Sequence, residues 1–435
     1  MNQGFAPGSG SAHRPKAVRW AEPNLFTYAT AGQSPASHPA AEPDERVNFA
    51  KARRSLSTTS FAVQPIAVAS VALHRVRVPF VEPFRISNGV VAEKDAILIE
   101  LTTADGIVGW GEASPMSGSF YSADTPDSSW TVLKDQIVPA LFSLGSVEAA
   151  QFYEFLREQP GDQFSKAGLE GALWDASANT QQTALSEMFG IQRRAVPSGV
   201  AIGIFDDTAE LIERVRQYVG EGYQRVKLKI QPGWDVEPVA AVREQFPQLP
   251  LMVDANAAYT IRDSDIFREL DRFQLLMIEQ PLAAKAIAEA GELQTHLRTP
   301  LCADESAESL VALHELLNHK AAQIINIKVQ RVGGLSEALL MLHTARAAGL
   351  QCWVGTMPEL GIASAQALHL AMHDGFTFPT DIEASARWYV DDVIQPAIEI
   401  DESGFIEVPA GAGIGFKVSR EKVERYTTAI ESFSL

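Results

Sequence analysis

The spacing of hydrophobic residues changes twice along the chain. Between Gly4 and Pro65 no period holds, and clusters such as Gly8-Ser9-Gly10-Ser11 and Ser34-Pro35-Ala36-Ser37 interrupt the sequence. Residues 1–65 are therefore expected to form a disordered extension. A targeting segment or a misassigned start codon would be the alternatives. Arg53-Arg54 before Ser55-Leu56 is a faint twin-arginine pattern. It sits far from Met1 and runs through Pro65 into a strand pattern, so export is not expected. Order is predicted from Ile66. Val68–Leu73 leads into His74–Val78, which alternates with period two. Pro79 is expected to open a loop as far as Gly89. Ala96–Leu101 and Val108–Ala113 read as strands flanking the Asp105-Gly106 turn. Helical spacing then covers Trp130–Leu144, Ser146–Glu158 and Ser165–Met188. Strands followed by helices predict an α+β unit over 66–190.

From Pro197 the period alternates. Short apolar runs with little polar alternation, typical of a parallel sheet buried on both faces, lie at Gly199–Ile204, Arg225–Ile230, Pro250–Asp254, Leu275–Gln280, Leu301–Asp304, Gln323–Lys328, Gln351–Gly355 and Thr377–Ile382. Helical patterns fill the gaps, among them Thr208–Tyr218, Val236–Gln245, Ala284–Leu297, Ser306–Leu317, Leu335–Ala348 and Ile362–Met372. Eight strands with helices between them predict an α/β fold with a (β/α)8 TIM-type barrel over 191–400. An open doubly wound sheet fits less well, because no Gly-x-Gly-x-x-Gly follows any strand.

Composition narrows the function. The chain has 435 residues, 36 Lys plus Arg and 54 Asp plus Glu, for a net charge of −18. So acidic a chain lacks the basic footprint of a nucleic-acid binder. No apolar run approaches the roughly 18 residues of a membrane span. Two cysteines, Cys302 and Cys352, lie in apolar runs and suit a reducing, cytoplasmic setting better than a disulfide scaffold.

Charged residues recur at the strand ends. Lys227 and Lys229 close the second barrel run, Asp254 the third, Glu279 the fourth, Asp304 the fifth and Lys328 the sixth. From Lys229 the steps are 25, 25, 25 and 24 residues, the length of one βα unit. Equal steps place these residues at one height, the C-terminal rim where barrel active sites are built. Three carboxylates in one mouth repel unless a hard divalent cation such as Mg²⁺, or Mn²⁺, joins them. A lysine beside other cations in a dry mouth can serve as a base, and Lys227 is expected to lower the pKa of Lys229 by repulsion. Taken singly, each of these residues could equally be a helix cap or half of an ion pair. The regular spacing is what singles them out. Asn256 and Glu305 are expected to steady the carboxylates and lysines.

In these residues the chain resembles the enolase superfamily, muconate lactonizing enzyme subgroup, over roughly 66–420. The resemblance implies an α+β capping domain over a modified barrel, with the C-terminal segment 401–435 returning to the cap. It implies metal ligands at Asp254, Glu279 and Asp304, an acid/base role for Lys229, and Lys328 on the opposite side of the substrate. No His ends the seventh run, which disfavours the subgroup with a His–Asp dyad. Within the subgroup the likeness is to o-succinylbenzoate synthases and N-succinylamino acid racemases. It rests on Pro83-Phe84-Arg85-Ile86-Ser87-Asn88-Gly89, Gly109-Trp110-Gly111-Glu112-Ala113, Met116-Ser117-Gly118-Ser119-Phe120-Tyr121-Ser122, Asn326-Ile327-Lys328 and Ser385-Ala386-Arg387-Trp388-Tyr389. It implies a small carboxylate substrate, a step towards menaquinone for the synthase, and an oligomer of unset size. Arg85, Tyr121, Asn256, Gly355, Thr356, Met357 and Asp381 are the expected substrate contacts, Arg85 having an equal claim to a surface role. Trp110, Trp174 and Trp353 are expected in the core. Two departures stand out: Thr356 where relatives often have Gly, and Asp381-Ile382-Glu383, which resembles the ammonium-binding Asp-x-Asp of dipeptide epimerases. The long N-terminal extension is a third. Muconate cycloisomerase fits the cap loop less well. A non-catalytic barrel is disfavoured because every expected catalytic position is filled.

Overall fold

The structure is a computed structural model that describes residues 64–87, 89–117, 122–159 and 161–435. The expectations for the segment before residue 64, and for Tyr121, fall outside the described residues.

The cap is built on strands β1 (Ile66–Ile86), β2 (Gly89–Thr103) and β3 (Val108–Ala113). The C-terminal strand Thr427–Ser434 pairs antiparallel with the outer edge of β1. The loop expected from Pro79 to Gly89 is instead a continuation of β1. Pairing with β2 passes an irregularity between Pro79 and Phe84 and resumes at Phe84↔Val91 and Arg85↔Val90. A strand accommodates proline at such a break because the missing N–H is not needed there. Helix α1 (Gln163–Thr180) packs on β3 and is buried almost all round. Gly109 and Gly111 permit this approach, since a Cβ at either would lie 2.3 Å from Ala172 O or 1.9 Å from Gly168 O. The helix expected over Ser165–Met188 breaks after Thr180, where Gln182 turns to φ 52°, and resumes at Leu185–Met188.

The barrel contributes seven parallel strands in sequential order: β4 (Val200–Ile202), β5 (Val226–Lys229), β6 (Leu251–Asp254), β7 (Ile278–Glu279), β8 (Leu301–Ala303), β9 (Ile324–Ile327) and β10 (Gln351–Val354). The eighth expected strand, Thr377–Ile382, forms no ladder. It joins the two sheet edges through isolated bridges, Cys352↔Phe376 and Ser198↔Thr380. Thr377 N donates to Cys352 O at 2.9 Å, and Gly199 N to Thr380 O at 2.8 Å. Pro379 interrupts the donor row, so this segment closes the ring without regular pairing. Side chains of a strand alternate between faces. Met252, Met277 and Cys302 therefore face the same way as Asp254, Glu279 and Asp304, two residues further on. With Ile324, Trp353 and Phe378 they form a buried apolar cluster, a dry floor beneath the charged rim.

Helix α2 (Gly361–Ala371) follows β10 and is buried along its whole length. Its N-cap, Leu360, offers no side-chain acceptor. Glu112 of β3 substitutes, accepting from Leu360 N at 2.8 Å and Ala363 N at 2.9 Å.

Candidate active site

The rim residues converge as their spacing predicts. Lys229 pairs in register with Asp254, and Asp254 with Glu279. All are buried. Lys229 Nζ donates to Asp254 Oδ2 at 2.6 Å and to Asn256 Oδ1 at 2.8 Å. Lys227 Nζ lies 3.2 Å from Glu279 Oε2 and 3.6 Å from Asp254 Oδ2, and also contacts Asp381. Lys328 Nζ lies 3.0 Å from Asp304 Oδ2, and Arg331 contacts Oδ1. The backbone turns sharply behind the carboxylates, with φ of 42° at Asn256 and 37° at Gln280. Side chains rarely adopt this region except where the surroundings hold them there.

Burial and charge act against each other here. Burial pushes the Glu279 carboxyl up to about 8, with Asp254 adding repulsion. Burial alone would raise Asp304, but Arg331 and Lys328 hold it well below the usual carboxylate range. Burial pulls Lys227 down, yet Asp381, Glu279 and Asp254 together hold its ammonium well above the ordinary lysine value. Lys227 and Lys229 share Asp254, at 3.6 Å and 2.6 Å, and Lys227 has Asp381 and Glu279 besides.

The donor set suits a hard cation: three carboxylates on adjacent strands. Glu279 Oε2 makes no well-directed hydrogen bond, although Lys227 Nζ lies within ion-pair distance. As placed, the side chains of the described residues include no ready-made group of three metal ligands. The lysine and arginine cations take up the carboxylate charge.

One cavity joins cap and barrel over this rim. Lys227, Lys229 and Lys328 line one part of it, and Phe84, Ile86 and Met116 descend from the cap. Thr356, Met357 and Asp381 line it, together with Trp388 and Glu383. Arg85 does not: alternation along β1 sends it away from Phe84 and Ile86, and it pairs with exposed Asp206 at 2.7 Å. Asn256 is not among the lining residues. It holds Lys229, and its Nδ2 donates to Glu305 Oε1 at 3.2 Å. Gly355 also serves indirectly, because a Cβ there would lie 2.1 Å from Asn326 Oδ1. Asn326 Nδ2 donates to Glu279 Oε1 at 2.5 Å. Asp381 has both oxygens engaged, Oδ1 by Arg225 at 2.7 Å and Oδ2 by Lys227. Glu383 Oε1 accepts from Ala201 N at 2.7 Å. Asp381 therefore has less capacity to receive an ammonium group than its spacing suggests, whereas Glu383 Oε2 makes no hydrogen bond and has Arg387 Nε 3.5 Å away. Trp110, Trp174 and Trp353 are buried in the core.

A fold of this kind, with a charged rim under a cap, defines an enzyme of the enolase type. The family models agree: residues 68–190 match the mandelate racemase/muconate lactonizing enzyme N-terminal domain, and 210–422 the enolase C-terminal domain-like model. The chain is 38% identical over 371 residues to an o-succinylbenzoate synthase of Geobacillus stearothermophilus, covering 85% of this chain and 98% of that one. It is 39% identical over 363 residues to an N-succinylamino acid racemase of Amycolatopsis sp, covering 83% and 98%. A crystal structure of an enolase superfamily member from Listeria innocua superposes with a TM-score of 0.82 at 34% identity, covering 85% of this chain and 99% of that one. The chain belongs to the mandelate racemase/muconate lactonizing enzyme family of the enolase superfamily.

Proposed function

We propose that the protein is a Mg²⁺-dependent o-succinylbenzoate synthase, dehydrating 2-succinyl-6-hydroxy-2,4-cyclohexadiene-1-carboxylate. The observation that carries an enediolate mechanism is a cavity walled by Lys229 and Lys328 over three strand-end carboxylates, and the likeness to o-succinylbenzoate synthases directs it to this substrate. Asp254, Glu279 and Asp304 would hold the cation, which supplies positive charge where the substrate carboxylate gains electron density. Lys229 removes the proton α to that carboxylate. It does so as the neutral amine, its Nζ aimed by Asn256, which Glu305 fixes in turn. Lys328 stays cationic and stabilises the enediolate. Lys229 then returns its proton to the departing hydroxyl, which leaves as water as the ring becomes aromatic. Phe84, Ile86, Met357 and Trp388 give the ring an apolar wall.

Racemisation of N-succinylamino acids is the second reading. The Amycolatopsis relative and the lysine pair support it, with one lysine removing the α-proton and the other delivering it to the opposite face. The test is the absorbance change on dehydration of the diene, with Lys229→Ala as blank. Loss of the diene that EDTA abolishes and Mg²⁺ restores is the expected result. A rate no greater than the blank, with folding and Mg²⁺ binding intact, overturns the synthase reading. N-succinylamino acids, and then dipeptides, become the next substrates.

A further inference from the structure

Two walls of the substrate cavity come from opposite domains: Met116 from the cap, and Thr356-Met357-Pro358 from the loop after β10. Both lead to one buried cluster. Lys94 of β2 is 2% exposed, and its Nζ donates to Ser114 O at 2.8 Å and Pro115 O at 3.0 Å, fixing the strand end just before Met116. Glu112 of β3 is fully buried and caps α2 through Leu360 N and Ala363 N, fixing the end of the β10 loop. Glu359, inside that loop, accepts from Met357 N at 3.1 Å. Gln330, two residues beyond Lys328, closes the ring: it donates to Glu112 O at 2.8 Å and accepts from Ser114 N at 2.9 Å.

We infer that Glu112 is a positioning residue that sets the shape of the substrate cavity by latching the cap to the β10 loop. Glu112 is not among the cavity-lining residues. Its two oxygens fix backbone N–H groups three and six residues beyond Met357. It lies on β3, with β2 between it and the cap arm that carries Phe84 and Ile86. A helix cap alone would need only a local Ser, Thr or Asp. Supplying it from a strand some 250 residues earlier ties the loop to the cap.

Glu170 provides a matched control. It is also a fully buried cap-domain carboxylate serving a barrel helix, accepting from Leu335 N at 2.7 Å and Ser336 N at 3.1 Å, and it is not among the lining residues. The inference rests on the proposed activity, so the wild type is assayed first on the diene and on an N-succinylamino acid. Turnover of neither refutes that reading, and the latch is then judged on crystal structures of wild type and Glu112→Gln, where displaced Met116 and Thr356–Pro358 support it and an unchanged cavity overturns it. With an active substrate in hand, Glu112→Gln is expected to raise KM about tenfold with kcat within about threefold, less than the roughly 100-fold that a 1 Å misplacement of the reacting groups can cost. It should also change the ratio of activities on the two substrates. Glu170→Gln should lower the melting temperature while leaving KM and the ratio unchanged. If Glu112→Gln does not fold, Gln330→Met opens the same ring from the barrel side and should shift KM in the same direction. The inference is overturned if Glu112→Gln matches Glu170→Gln in KM and ratio, or if Gln330→Met leaves KM at the wild-type value.

Discussion

At the scale of single residues, the site is held by side chains that do not line the cavity. Asn326 is the clearest case. It is buried on β9 and orients Glu279, and it fits only because position 355 lacks a side chain. Gly355→Ala should push Asn326 off Glu279, weakening Mg²⁺ binding and turnover by about 10- to 100-fold, as outer-shell substitutions do. Isothermal titration with Mg²⁺ together with the diene assay checks this. Unchanged affinity would show that Asn326 does not set the carboxylate. The rim residues were legible in the sequence because each ends an apolar run and recurs at the βα period. Asn326 lies two residues before Lys328, on the same face by alternation, so a period-two reading back from each rim residue would have found it. Arg331 and Trp388 carry no such spacing. Arg331 is brought to Asp304 by the helical turn Val329–Val332 after β9, and Trp388 by a turn packed on Phe84 of the cap.

At the scale of elements, two of the misread segments are those where proline broke a pattern without breaking the strand direction. The arm after Pro79 stays extended because β2 supplies a partner, and that continuity fixes the phase that points Phe84 inward and Arg85 outward. The eighth barrel segment keeps its place but loses its ladder at Pro379. Helix α2 was read within one residue at each end, yet its cap was not, because Glu112 is distant in sequence. The same helix carries His369, whose Nδ1 accepts from Ser186 N at 3.1 Å. Burial pushes this imidazole down to about 4 from its ordinary 6.5. Above 6.5 neither folded nor unfolded protein protonates it. As pH falls from 6.5 to 4 the unfolded chain takes up a proton that the folded protein refuses, so stability is lost in that window, by at most roughly 3 kcal/mol. His369→Asn keeps an acceptor for Ser186 N but has no proton to take up. Urea unfolding between pH 7 and 4 should give a shallower decline for the variant. Parallel curves would assign the acid sensitivity to other groups.

At the scale of the whole molecule, the chain end is part of the cap. Thr427–Ser434 pairs with β1 from Ser70↔Ser434 to Val76↔Thr427, yet its own side chains are mostly exposed, Ile430 at 59%. Its contribution is therefore backbone pairing more than apolar burial. Ending the chain after Tyr426 should leave the barrel folded and cost a modest part of the stability, while baring the edge of β1 from Ser70 to Val76. An open edge of that length is a template for pairing between copies. The net charge of −18 opposes such pairing through repulsion between copies. Removing Glu431 lowers it by only one unit. Salt should therefore decide the outcome: at low ionic strength the truncated chain keeps the wild-type mass. Near 0.5 M salt, where screening shortens the reach of these charges to a few ångströms, it self-associates. Light scattering on both chains at the two salt concentrations tests this. A truncated chain whose mass matches the wild type at high salt would show that the edge of β1 is protected without its C-terminal partner.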